Sequence, residues 1–388
     1  MIYLLIEFLD ELVFGLTDAA WPLIRTDLGL TYAQIGILLS VPGLLGNLIE
    51  PFLFILGDIW KRRLIILAGG IGFTLACLLT GVSPSFIFLL FSFILFNPSS
   101  GAFVSLSQAT LIDTDESRHE RNMARWTFAG SLGVFLGPLL LGGLVTLGFG
   151  WRIGFLALAS LSTMILIAAF RLLPTTGIPH ADFPSPRAFL DGLKSAFAAL
   201  KDKAVLRWLI LLEFSDLMLD VLYGFLALYL VDVAHVTATS AAFAVAIWTG
   251  VGLLGDFLLI PLVERVKGLD YLRLSVILEL ILFPLFLLTK IYWLKLVLLG
   301  LLGFFNSGWY AILKAHLFSS LPGKSGSALA LDNVSGMFGK LLPFGIGLAA
   351  QTFGLAPAMW LLLAGPIALF IGLPKHSQRL KVQGLTDL

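Results

Sequence analysis

The 388-residue chain is 58% hydrophobic and only 13% charged, with a mean hydropathy of +0.97, a balance that excludes an ordinary water-soluble domain. A net charge of +1, with the basic residues in short separate clusters rather than along one face, excludes a nucleic-acid binder. The single cysteine, Cys77, excludes an intramolecular disulfide and a cysteine metal cluster and reads as a small packing residue.

Apolar runs broken by Gly, Pro or charge predict twelve transmembrane helices, near 3–24, 33–56, 64–82, 85–111, 126–148, 152–173, 206–231, 239–263, 271–289, 293–318, 327–352 and 356–373. They are called spans 1 to 12. Span 1 starts almost at Met1 and holds Glu7, Asp10 and Glu11, which does not suit a cleavable signal peptide. It is expected to be permanent. The expected division is a six-helix bundle at 1–173, a linker at 174–205, a second bundle at 206–373 and a tail at 374–388. In the linker, Phe189, Leu193, Phe197 and Leu200 at helical spacing predict an amphipathic interfacial helix. Lys314 and Lys340 aside, nineteen Lys and Arg residues fall in connections, helix ends and tail on the side of the termini and middle loop and four on the other, Arg25, Arg152, Lys290 and Lys295. That asymmetry predicts cytoplasmic termini in a plasma (inner) membrane.

The halves repeat each other. Ile6-Glu7-Phe8-Leu9-Asp10 answers Leu212-Glu213-Phe214-Ser215-Asp216, Phe96-Asn97 answers Phe305-Asn306, and Pro138 with Gly142 answers Pro343 with Gly347, at offsets between 204 and 209. A duplicated six-helix unit predicts a substrate site between the halves near mid-membrane.

Twelve spans as 6+6 resemble the major facilitator superfamily over essentially the whole chain. Gly57-Asp58-Ile59-Trp60-Lys61-Arg62-Arg63 is similar to that family's loop signature of an Asp followed by a basic cluster, with Phe54, Ile59 and Lys61 departing from it. The resemblance implies that Asp58, Lys61, Arg62 and Arg63 form a gating loop tying neighbouring helix ends together in one state. Trp151-Arg152-Ile153-Gly154-Phe155 resembles the family's start of span 6. Gly133, Gly137, Pro138, Gly142 and Gly143 resemble the glycine-rich fifth-helix motif of antiporters, with one extra residue between the Pro and the Gly pair. A helix-packing seam explains the same glycines equally well. Among relatives, the chain looks nearest to drug-efflux and fosmidomycin-resistance-like proton antiporters.

At 100° per residue, Glu7, Asp10, Glu11 and Asp18 fall at about 0, 300, 40 and 20°, and Glu213, Asp216 and Asp220 at about 0, 300 and 340°. Each acid facing lipid near the bilayer centre costs roughly 2.5 to 3.5 kcal/mol on insertion scales, so the acids are expected to line a hydrated cavity. Glu7 is expected to be solvated near the interface. Asp10, Glu11, Asp18, Asp216 and Asp220 are the expected proton-coupling residues, since crowded carboxylates suit exchange of a proton for a substrate. Lys340, mid-span, needs a buried counter-ion. Asp216 or Asp220 is expected to supply it, with Glu50 second, either as a static pair or as a switch. Asn97 and Asn306, equivalent by the repeat, are candidate substrate ligands or packing bonds, and Glu50, Trp309 and Tyr310 complete the expected pocket.

No nucleotide loop, metalloprotease pair or nucleophile elbow occurs, so no enzyme is expected, and no cofactor or metal. The expected function is proton-coupled efflux of amphipathic or cationic compounds by alternating access, by a monomer in the bilayer. Sodium is the alternative coupling ion. Symport of a sugar or other metabolite and carriage of a lipid are the alternative transport readings.

Overall fold

A computed structural model describes residues 1–59, 61–113, 119–173, 201–263, 265–320 and 335–374. The expected amphipathic linker helix, most of the tail and the first part of span 11 lie outside the described residues. Among the described residues there is no strand. The protein is an all-α polytopic membrane protein whose helices run as twelve passes.

Span 1 is Ile2–Leu28, span 2 Tyr32–Ile59, span 3 Arg62–Gly81, span 5 His119–Thr146 and span 6 Trp151–Leu172. Span 4 is Phe86–Ser100 continued by Leu106–Asp113 through a π-helical turn at Gly101–Ser105. Span 7 is Lys203–Ser215 and Leu222–Asp232, joined by a π turn at Leu217–Val221. Span 8 is Ala238–Val263 and span 9 Gly268–Leu288. Span 10 is Tyr292–Asn306 and Trp309–Ser319, broken at Ser307 and Gly308, where Gly308 has φ 73°. Span 11 includes Leu342–Phe353, and span 12 runs through Leu355–Trp360, a short 3-10 turn and Ala364–Gly372.

Nine described helices are long and apolar enough to cross a membrane. Spans 1, 7 and 11 are not among them. Span 1 carries four carboxylates in its first eighteen residues, span 7 carries Glu213, Asp216 and Asp220 close together, and span 11 lies partly outside the described residues. The acids of the first and seventh helices are thus the residues that weaken their hydropathy signal.

Packing follows the small residues. Spans 1 and 5 share the most extensive helix contact, and the glycine motif explains it. A Cβ at Gly133 or Gly137 would overlap the span 1 backbone at Phe8, Leu12, Gly15 or Leu16, while one at Gly15 would meet Val134 and Pro138. Helix axes approach this closely only where side chains are missing. Gly142 faces Ala242 and Phe243 of span 8 at ordinary contact distance, and a Cβ at Gly143 would meet nothing. Spans 5 and 8 therefore form one seam between the halves, and spans 2 and 11 the other.

The start of span 1 defines one side of the helical array, the terminal side, and the loop after span 1 the far side. Trp151 and Arg152 both reach Asp27 at the far end of span 1, the indole at 3.1 Å and the guanidinium at 2.9 Å. Arg152 also donates to the Gly81 and Ser83 carbonyls beyond span 3, fastening three helix ends. Lys295 departs from expectation. Its sequence position assigns it to a far-side loop, yet it is 2% exposed, with Nζ 3.0 Å from Tyr229 Oη and 2.6 Å from the Phe286 carbonyl. Aromatic faces of Tyr229 and Phe286 take the charge that an apolar wall would refuse.

Candidate functional site

Span 1 brings its acids to the middle of the protein. Asp10 is buried and accepts a 2.8 Å hydrogen bond from Ser100, at the end of span 4 just before its π turn. Asp18 is half-buried and accepts from Trp21 at 3.2 Å. Glu11 is half-buried between them. Glu7 corrects the expectation of a solvated residue: it is 8% exposed, lies against Gly130 of span 5 and takes a hydrogen bond from Trp126. The cause is steric. With no side chain at Gly130, span 5 closes over the first turns of span 1 and shuts Glu7 away from the interface.

Across the cavity, Lys340 Nζ is 3.7 Å from Asp220 Oδ2, and the two side chains are 41% and 70% accessible. A fully buried pair would be a packing device; this one leaves both side chains partly accessible. Asp220 sits in the π turn of span 7, where the helix is widened. Glu213 and Asp216 approach Gly339, the residue before Lys340, so the carboxylates of span 7 converge on one point of span 11. Glu50 lies against Gly101, close to Asn97 and within electrostatic reach of Lys340.

A cavity on the first-half side is lined by Thr17, Asp18, Asn97 and Lys340 among Phe14, Trp21, Phe93 and Phe96. Asn97 donates to the Phe93 carbonyl at 3.1 Å, which leaves its amide oxygen available to the cavity. Lys340 thus crosses from span 11 into a pocket walled by the other half, its stem against Gly43 of span 2.

Other anticipated residues go elsewhere. Asn306 is 5% exposed and donates to the Met218 carbonyl at 3.1 Å, satisfying a backbone group that the π turn of span 7 frees. Trp309 is fully buried and donates to Ser275 at 2.8 Å, inside the packing of spans 9 and 10. Tyr310 is exposed and bonds to Lys314 on its own helix. The structure does not bring these three to the cavity. For Trp309 and Tyr310 the break in span 10 explains why, since after Gly308 the helix restarts with a shifted phase; Asn306 precedes the break and is taken up by the Met218 carbonyl.

In the loop after span 2, Arg62 donates to the Gly57 carbonyl at 3.2 Å and Arg63 to the Phe170 carbonyl of span 6. Both cap helix C-termini, where the dipole favours cations. Lys61 is exposed, and the side chain of Asp58 lies outside the described residues.

At the far side a cluster missed by sequence reasoning joins the halves. Arg25 of span 1 pairs with Asp232 of span 7 at 3.1 Å, Tyr32 of span 2 donates to the same carboxylate at 2.8 Å, and Arg25 stacks 4.4 Å over the Tyr32 ring. The Tyr32 backbone N–H reaches Gln351 of span 11 at 3.2 Å. Below it a Cβ at Gly36 would lie 2.8 Å from the Pro343 carbonyl, and Ser40 accepts from the Phe344 N–H at 2.9 Å. These contacts tie spans 1, 2, 7 and 11 together at the far side. The offset of 207 between Arg25 and Asp232, nearly the repeat offset, was the available signal.

The Major Facilitator Superfamily model matches residues 3–343. No curated protein matches the sequence. Among solved structures, the chain is similar to a bacterial homologue of the human lysosomal transporter Spinster in an inward-facing, unoccupied conformation, with TM-score 0.70 and 19% identity over 96% of this chain and 93% of that one. It is also similar to the nucleoside transporter NupG, with TM-score 0.77 and 13% identity over 97% and 99% of the two chains, and to a point mutant of NupG at 0.79 and 14%, over 96% and 99%. At these identities the likeness is one of fold.

Proposed function

Because the chain belongs to the major facilitator superfamily, we propose that it is a secondary carrier that moves amphipathic or cationic compounds out of the cell in exchange for protons. The observation that carries this reading is the accessible Lys340–Asp220 contact beside a cavity lined by Asp18 and Lys340, with Asp10 and Glu11 on the same helix as Asp18 and Asp216 one turn before Asp220. A proton or a cationic substrate arriving at these carboxylates competes with Lys340 for Asp220. Each occupant thereby changes what holds span 7 to span 11. That supplies the differential interaction which alternating access requires.

The aromatic wall of Phe14, Trp21, Phe93 and Phe96 suits an apolar body, and Asp18 suits its charge. Under this reading the terminal side is cytoplasmic, the protein resides in the plasma membrane, and it works as a monomer. Sodium is the alternative coupling ion. A second reading, proton symport of a polar metabolite, is supported by the fold shared with NupG and by the polar Asn97 in the pocket.

The test is purified protein in liposomes under an imposed pH gradient, with substrate-induced proton flux followed across lipophilic cations, sugars and nucleosides for wild type, Asp10→Asn, Asp18→Asn and Lys340→Ala. Flux with lipophilic cations that the variants abolish supports antiport. Flux with a sugar or nucleoside of opposite sign supports symport. Absence of proton movement with every compound and both gradient directions rules out proton coupling.

A further inference from the structure

Two neighbouring buried hydrogen-bond donors at mid-membrane have no partner among the described residues. Trp248 of span 8 is 8% exposed and its indole N–H is unmatched. Beside it, with ring centroids 5.3 Å apart, the Tyr223 hydroxyl of span 7 is equally enclosed and equally unmatched. Buried donors of this kind are costly, and a pair of them on neighbouring helices marks a place where an acceptor from outside the protein belongs. Span 1, which carries Asp18 and Glu11, packs against span 7, which carries Tyr223, at the junction of the halves. Spans 1, 7 and 8 meet there.

From this we infer that Tyr223 and Trp248 form a specificity subsite that binds an oxygen acceptor of the cargo, while Asp18 and Glu11 opposite bind its amine. This rests on the transport reading above and narrows its substrate class to amines with a hydroxyl, ether or carbonyl oxygen on the same face. Hydrocarbon cations lacking such an oxygen leave both donors unmatched and are the poorer cargo. The asymmetry is chemical: Tyr and Trp offer donors, the span 1 acids take them, and a substrate that bridges the two must carry both functions. The Trp248 carbonyl and the edge of its indole both lie against Gly303 of span 10, which packs the ring between spans 8 and 10.

Three matched probes decide it in proteoliposomes of the full chain: phenylalaninol, its methyl ether, and the deoxy compound 2-amino-1-phenylpropane. Wild type should show a KM for the alcohol and ether roughly tenfold below that for the deoxy amine, the factor that one matched buried donor supplies. Tyr223→Phe and Trp248→Phe should erase that preference and leave the deoxy compound unchanged, while Asp18→Asn should weaken all three. If wild type carries the ether and the deoxy amine equally well, the subsite is refuted and the transport reading stands. Equal loss for all three probes in Tyr223→Phe and Trp248→Phe also refutes it, by showing a packing role. If wild type carries none of the three, the subsite is refuted, and the transport reading is decided by the wider panel of cations, sugars and nucleosides.

Discussion

Replacing Asp232 by Asn should loosen the far side of the protein. Asp232 holds Arg25 at 3.1 Å and Tyr32 at 2.8 Å, with the charged side chains of Arg25 and Asp232 31% and 20% accessible. An exposed ion pair contributes about 0.2–1 kcal/mol and a hydrogen bond to a charged group about 1.5–3 kcal/mol, so this half-buried cluster is placed near 1–2 kcal/mol. The neutral amide keeps a hydrogen bond to Tyr32 but loses the charge. The contact exists only when the halves meet at the far side, so its loss should raise the far-side-open population roughly 5- to 30-fold. Ser40 reports it, because it is 1% exposed and sits in the seam between spans 2 and 11. In a Cys77→Ala, Ser40→Cys background, labelling by a membrane-impermeant maleimide from the far side should accelerate by that factor when Asp232→Asn is added. Arg25→Gln should act alike, and the double variant should be less than additive. An unchanged labelling rate in both single variants would refute the cluster as a clasp.

The glycine motif predicts a contrast within one helix: Gly137→Ala overlaps Leu16 and Gly15 and should destabilise by about 1–3 kcal/mol, while Gly143→Ala, open on every side, should leave the melting temperature unchanged. Arg152→Ala frees Asp27 and uncaps two carbonyls, and should cost about 1–3 kcal/mol in thermal unfolding without altering KM, since it lies away from the cavity. Glu279 in span 9 is fully buried with both carboxylate oxygens unmatched among the described residues, so Glu279→Met should raise stability by about 1–3 kcal/mol. A fall in melting temperature with intact folding would mean that Glu279 has a partner. Asn306→Leu strips the Met218 carbonyl in the span 7 π turn and should lower transport turnover more than it raises KM, measured as initial rates in proteoliposomes.

Much of the fold was legible because a membrane imposes a simple rule. Every backbone polar group in hydrocarbon must be bonded within its own helix, so length and apolar runs locate the passes, and the described helix ends fall within a few residues of most of those expected. The acidic face of span 1 was equally legible, because one regular helix preserves the wheel. Span 7 was legible as the source of the counter-ion of Lys340, whereas the placement of Trp309 and Tyr310 in span 10 was not. A break at Ser307 and Gly308 shifts the phase of the helix beyond it.

The sequence by itself therefore determined the solvent, the number of passes, the internal duplication and the residue types that chemistry could use. Only the tertiary structure decided which of them meet. Lys340 meets Asp220, one of the two acids the sequence offered it, because span 11 approaches span 7, Arg25 finds Asp232 because the two halves close at the far side, and Trp309 leaves the pocket because its helix restarts. Glu7 is enclosed because Gly130 lacks a side chain on a different helix. Each depends on contacts between residues far apart in the chain, set by close packing of whole helices rather than by any local pattern.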